Sequence, residues 1–213
     1  AKDLESLGVK ELNVIAQDVT RYGKDLYGSY RLHELLRRIT EETSIPWLRI
    51  LYCYPDKITD ELIAQLRDND RVLKYIDLPL QHIADPVLKR MNRHGDSKMI
   101  RDVLAKLRRE VPGIVIRTTF IVGFPGETEE DFEELCRFVE EQRFEHMGVF
   151  TYSPEEGTPA ATMDGQIDEQ TKQDRMDILM KLQMQINAEQ NEEKIGKTIR
   201  VLTEDYDSVS EAY

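Results

Sequence analysis

Cysteine is scarce in this sequence. Its 213 residues hold 2 cysteines, Cys53 and Cys136, with no C-x-x-C spacing. That excludes a disulfide framework and, within this chain, a zinc or iron–sulfur site built from cysteines. It also suits a cytoplasmic protein. Long apolar runs are missing too. No stretch reaches the roughly 18 residues that a transmembrane helix needs, so no membrane partner is expected. The opening AKDLESLGVK lacks the pattern of a secretory signal. Positive charge is in deficit, with 29 Lys and Arg against 41 Asp and Glu and a net charge of −12. Such a chain carries no overall electrostatic footprint for nonspecific nucleic-acid binding, whereas a basic protein partner would suit it. Apolar residues are not scarce: at 40% they suffice for a core.

Five apolar runs rich in β-branched residues recur along the chain. They are Glu11–Asp18, Leu48–Pro55, Tyr75–His82, Ile114–Pro125 and Met147–Pro154. Continuous apolar runs bounded by turn residues predict strands buried on both faces. Between them apolar residues recur at helical spacing, as in Leu32, Leu35, Leu36 and Ile39, and again in Phe132, Leu135, Phe138 and Val139. This alternation predicts an α/β fold with a parallel sheet and right-handed crossovers. Ala1–Leu7 reads as a helix stopped by Gly8, and a strand is expected ahead of it. From Asp168 to Lys194 the sequence is polar and helix-forming, and its methionines read as packing residues. Lys197–Leu202 reads as one strand opening a small β module, followed by the acidic EDYDSVSEAY. The expected organisation is a partial barrel over 1–165, a connecting helix over 166–196 and the start of a truncated β module over 197–213. A barrel short of a strand exposes unpaired edges, so the isolated chain is expected to associate or to be marginally stable.

In parallel α/β sheets, function gathers at the carboxyl ends of the strands. Those ends are polar or turn-forming here: Gln17-Asp18, Tyr54-Pro55-Asp56, Gln81-His82, Gly123 to Thr128 and Tyr152-Ser153. Uncharged hydrogen-bonding groups suit a polar organic ligand, and five such ends point to one shared pocket. The fourth strand runs into GFPGET, residues 123–128. Gly123 and Gly126 permit positive φ or close backbone approach, and Thr128 with Asp131 has the spacing of a capping box. The helix start that follows either receives an anion or base edge or is a well-capped turn with nothing bound. Arg117, inside the fourth predicted strand, either neutralises an interior acid or clamps a ligand carboxylate. His82 reads as a hydrogen-bonding histidine, since no second metal ligand lies at usable spacing. The basic run Lys89–Arg93 touches an acidic ligand or coats a surface.

Several long motifs resemble the radical-SAM methylthiotransferases. They are AQDVTRYGKDLYG (Ala16–Gly28), LRILYCYPD (Leu48–Asp56), LPLQHIADPVLKRMNRHG (Leu78–Gly95), RTTFIVGFPGETEEDF (Arg117–Phe132) and VFTYSPEEGTPAA (Val149–Ala161). Gln17-Asp18 and Leu80-Gln81-His82-Ile83 resemble the branch acting on ribosomal protein S-12 more than the tRNA-modifying branch.

The resemblance implies a TIM-type (β/α) radical-SAM barrel, a helix, and a β module of the TRAM type. It implies S-adenosylmethionine and two [4Fe–4S] clusters as cofactors, with the C-x-x-x-C-x-x-C loop expected upstream of Ala1. The implied reaction uses a 5′-deoxyadenosyl radical to place a methylthio group on the β-carbon of an aspartate. Ribosomal protein S-12 or the small ribosomal subunit is the implied partner, with RNA contact through a complete TRAM module. Without the cluster cysteines this chain is expected to be inactive. Two alternatives remain open: a tRNA adenosine methylthiotransferase and a non-catalytic ligand-binding barrel. The resemblance places Gln17 and Asp18 near the methionine part of the cofactor and Gln81 facing cofactor or substrate. It makes Arg117 a clamp for the cofactor carboxylate. Ile121, Gly123, Phe124 and Gly126 run along the adenine through backbone contacts, and Tyr152 closes the pocket.

Overall fold

The structure, a computed structural model, describes residues 1–203. Its strands are β1 (Glu11–Val14), β2 (Trp47–Ile50), β3 (Tyr75–Gln81), β4 (Val115–Val122) and β5 (His146–Thr151). Its helices are α1 (Lys2–Ser6), α2 (Lys24–Tyr27), α3 (Leu32–Glu42), α4 (Asp60–Asp68), α5 (Asp85–Arg90), α6 (Ser97–Glu110), α7 (Glu129–Gln142) and α8 (Glu169–Glu192). The strands fall at the five apolar runs, and every ladder is parallel.

β1 pairs with β2, and β3, β4 and β5 form a second sheet in that order. The sheets meet where Leu48 bridges Val72 and where the Cys53 N–H donates to the Asp77 carbonyl at 2.9 Å. They remain open and do not close into a barrel among the described residues.

The strands are not buried on both faces as the apolar runs suggested. Along β4, Ile116, Thr118, Phe120 and Val122 are buried, while Arg117 is exposed and Thr119 and Ile121 are half-buried. Successive side chains point to opposite faces, so one face packs on helices and the other lines the inside of an open sheet. Arg117 therefore does not sit in a sealed interior.

The core lies on the helix-covered face. Phe120 of β4, Phe138 of α7 and Phe144 pack edge to face, with centroids 5.7–6.3 Å apart. α7 begins with the anticipated capping box: the Thr128 hydroxyl accepts the Asp131 N–H, and the Asp131 carboxylate accepts the Thr128 N–H. α8 turns Lys172, Arg175, Leu179, Gln183 and Ile186 inward at helical spacing. Met176 packs on the core, whereas Met184 is exposed. Residues 197–203 form no strand, a correction to the strand expected over Lys197–Leu202. A strand exists only through a ladder partner, and among the described residues none lies beside this segment. EDYDSVSEAY lies outside the described residues.

Candidate functional site

The inner face of the sheets changes character from its amino end to its carboxyl end. At the amino end, Arg49 donates to both carboxylate oxygens of Glu11, at 2.5 and 3.2 Å. Its guanidinium lies 4.3 Å from the centroid of the Tyr75 ring, which tilts against His146. The Arg49–Glu11 pair is satisfied within the chain.

Two residues beyond Tyr75, the β3–β4 register sets Asp77 beside Arg117. The two pair at 3.4 Å; Asp77 is buried, while the Arg117 side chain remains 45% exposed. Asp77 also accepts the Tyr52 N–H at 3.0 Å. Arg117 thus neutralises an interior acid and still presents part of its fork to the open face.

Beyond this pair a cleft of about 350 Å³ opens at the carboxyl ends. Gln17, Gln81, Arg117 and Thr119 supply its polar side, Tyr52, Tyr54 and Phe150 its aromatic side. Phe150 is 62% exposed, a large apolar ring left facing solvent. The Gln81 Oε1 is buried with no hydrogen-bond partner. Tyr52 and Gln81 also hold left-handed backbone, at φ 58° and 73°. Asn92 and Arg143 share that conformation but follow helices, where it is ordinary; Tyr52 and Gln81 leave strands into the cleft. A strained backbone, an orphaned amide oxygen and bare aromatic surface together mark a place built for a ligand.

Gln17, Gln81 and Arg117 come together in this cleft. Asp18 lies next door, in a cleft of about 720 Å³ with Arg21, Tyr30 and His94. Its carboxylate caps the short turn after β1, accepting the Thr20 N–H at 3.0 Å. Phe124 and Tyr152 belong to a separate small cluster, their rings 5.0 Å apart, with Ile121 packed against it. The Tyr152 hydroxyl is buried without a partner.

Gly123 and Gly126 both take positive φ, as the turn requires. Their N–H groups are spent within the chain. Gly123 donates to Glu127 at 2.7 Å, Phe124 to Glu127 at 3.3 Å and Gly126 to the Gly165 carbonyl at 2.8 Å. The expected backbone contacts with an adenine therefore cannot use these three donors. The helix start that follows GFPGET is capped from within the chain by Thr128 and Asp131.

The basic run is also occupied. Arg90 donates to the carbonyls of Pro125 and Asp164, while Arg93 donates to Pro79 and stacks over Tyr54. His82 is wholly buried, and its Nδ1 accepts the Ala84 N–H at 3.0 Å. Burial pushes its pKa down to about 4, so the ring is neutral at physiological pH. Burial likewise raises the Cys53 thiol, with the charges of Asp77 and Asp18 adding to it, and lifts Cys136 to about 11. Both are protonated and inert.

The Radical SAM superfamily matches residues 1–139. The chain belongs to the radical SAM superfamily. It is 53% identical over 211 residues to the ribosomal protein uS12 methylthiotransferase RimO of Pelobacter propionicus, covering 99% of this chain and 47% of that one. Against RimO of Desulforamulus reducens it is 53% identical over 204 residues, or 96% and 46% of the two chains. This radical SAM chain thus spans about half the length of the curated relatives it matches. It shares its fold with coproporphyrinogen III oxidase (HemN) of Escherichia coli, a radical SAM enzyme. That match has a TM-score of 0.59 at 18% identity, over 73% of this chain and 37% of that one.

Sequence reasoning missed Tyr52, Asp77, Thr119 and Phe150 as neighbours of this radical SAM cleft. Period-2 alternation from Arg117 would have found Thr119, and alternation in HMGVFT sets Phe150 opposite the buried Val149. The turned backbone of Tyr52 has no signal in its residue type.

Proposed function

We propose that this chain is the S-adenosylmethionine-binding core of a methylthiotransferase acting on the β-carbon of an aspartate in ribosomal protein uS12. One observation carries this reading: 53% identity over 99% of the chain to a relative named for that activity.

S-adenosylmethionine fits the cleft. The orphaned Gln81 oxygen and Gln17 suit its amino-acid end, Arg117 its carboxylate, and the exposed Phe150 a flat apolar surface. When bound, it supplies the radical and methyl chemistry, and the chain binds, orients and excludes water. An iron–sulfur cluster does not fit these residues. Among the described residues no group of three or more His, Cys, Asp or Glu is placed to hold a metal, and both cysteines are protonated and apart. The two clusters implied by the resemblance find no ligand set among the described residues. The net charge of −12 suits a basic ribosomal protein as substrate. Contact with RNA through a complete TRAM module and a cytoplasmic location complete the proposal. Among the described residues no helix is long and apolar enough to cross a membrane.

The test uses full-length protein loaded anaerobically with iron and sulfide. It receives S-adenosylmethionine, a reductant, and either small ribosomal subunits or tRNA. The expected result is a uS12 aspartate that gains one methylthio group in place of hydrogen. Turnover on tRNA alone would contradict the reading.

A further inference from the structure

Behind the cleft wall, one buried carboxylate ties three elements together. The Glu127 Oε2 accepts the N–H groups of Gly123 and Phe124, just past the end of β4. Its Oε1 accepts Nη1 of Arg175, from α8, at 2.8 Å. The His82 Nε2 lies 3.7 Å from Oε2, just past the end of β3. Because the His82 Nδ1 accepts the Ala84 N–H, the proton of the neutral ring sits on Nε2 and faces Glu127. Glu127 is buried, which pushes its pKa up, while Arg175 and the Gly123 and Phe124 amides favour the charged form; the His82 Nε2 packs against it beyond hydrogen-bond distance and has no partner of its own.

α8 supplies a second contact one turn earlier. Lys172 is buried, its stem occupies the space where a side chain at Gly123 would go, and its ammonium lies 5.4 Å from the Tyr152 ring centroid. Arg175 also reaches Glu129 at 3.1 Å. Gln81, whose orphaned oxygen belongs to the cleft, is the immediate neighbour of His82. Yet α8 lies wholly beyond residues 1–139, the part matched by the superfamily.

We propose that Arg175 is a positioning residue for the cleft: through Glu127 it fixes the ends of β3 and β4, and so the placement of Gln81 and of the 123–126 turn. The helix outside the matched domain is then part of the cofactor site. This inference rests on reading the cleft as the S-adenosylmethionine pocket.

The experiment uses full-length, cluster-loaded protein as wild type, Arg175→Lys, Arg175→Met and the double variant Glu127→Gln with Arg175→Met. The double variant removes both charges and keeps an acceptor for the Gly123 and Phe124 amides, so it remains folded where the single Arg175→Met is unstable. Equilibrium dialysis gives the S-adenosylmethionine dissociation constant, and hydrogen exchange follows the amides of residues 120–128. The expected result is about tenfold weaker binding in Arg175→Met and in the double variant, with substantial recovery in Arg175→Lys. Faster exchange at Gly123 and Phe124 is expected in Arg175→Met, with β1 and β2 unchanged. If wild type binds and the double variant binds equally well, the positioning role is overturned while the cleft reading stands. If wild type takes up no S-adenosylmethionine, the cleft reading falls and this inference with it.

Discussion

The two ends of the inner sheet face meet solvent in opposite ways. At the amino end, Arg49 and Glu11 pair with each other, and the Arg49 guanidinium covers the Tyr75 ring, which tilts against His146. At the carboxyl end, Gln81 keeps an orphaned oxygen, Tyr52 and Gln81 hold costly backbone, and Phe150 lies bare. The difference lies in side-chain choice and in the turned backbone of Tyr52 and Gln81. The foot spends its hydrogen-bonding capacity on stability; the mouth leaves it unspent for a ligand.

This contrast predicts where substitutions act. The largest expected effect lies behind the mouth, at His82. Its folded pKa of about 4 is below its ordinary 6.5, so the unfolded chain binds the extra proton between those values. Stability is complete above pH 6.5 and falls as pH drops toward 4, by about 3 kcal/mol from this residue. Urea unfolding at pH 7 and pH 4 should show that extra loss in wild type relative to His82→Gln. Equal losses in the two proteins would contradict the buried neutral ring.

The foot should show a smaller effect on stability and none on binding. Arg49→Met strands the half-buried Glu11 carboxylate and loses the contact with Tyr75, at a cost of about 1–2 kcal/mol. S-adenosylmethionine affinity of the full-length protein should stay at the wild-type value; a parallel loss of affinity would erase the distinction between foot and mouth.

The smallest stability effect should come from the mouth itself, with the sign reversed. Gln81→Gly relieves a left-handed backbone that costs a non-glycine residue about 1–2 kcal/mol, offset by the extra freedom of glycine in the unfolded chain. A net gain of about 0.5 kcal/mol in chemical unfolding should accompany weaker S-adenosylmethionine binding. A loss of stability would show that Gln81 serves the fold and not the site.

Much of this was legible in the sequence because the signals are local. The apolar runs located the strands, and Thr128 with Asp131 announced the start of α7. Gln17, Gln81 and Arg117 could be grouped because strand ends converge in parallel sheets. Other features depend on distant partners. Reading the runs as buried on both faces concealed the alternation that exposes Arg117 and Phe150. The N–H groups of GFPGET looked available because their acceptor, Glu127, is fixed by Arg175, forty-eight residues away. Lys172 and Arg175 lie in a polar helix where nothing local marks them as buried, and only packing against the turn reveals their burial. The strand expected at 197–202 finds no ladder partner among the described residues.

The most direct test of the central claim is a crystal structure of the full-length, cluster-loaded protein with S-adenosylmethionine. The account predicts the ligand in the cleft between Gln17, Gln81, Arg117 and Phe150, with the Gln81 side-chain oxygen hydrogen-bonded to it. A ligand seated instead in the neighbouring cleft of Arg21, Tyr30 and His94, with the Gln81 oxygen still unpartnered, would contradict it.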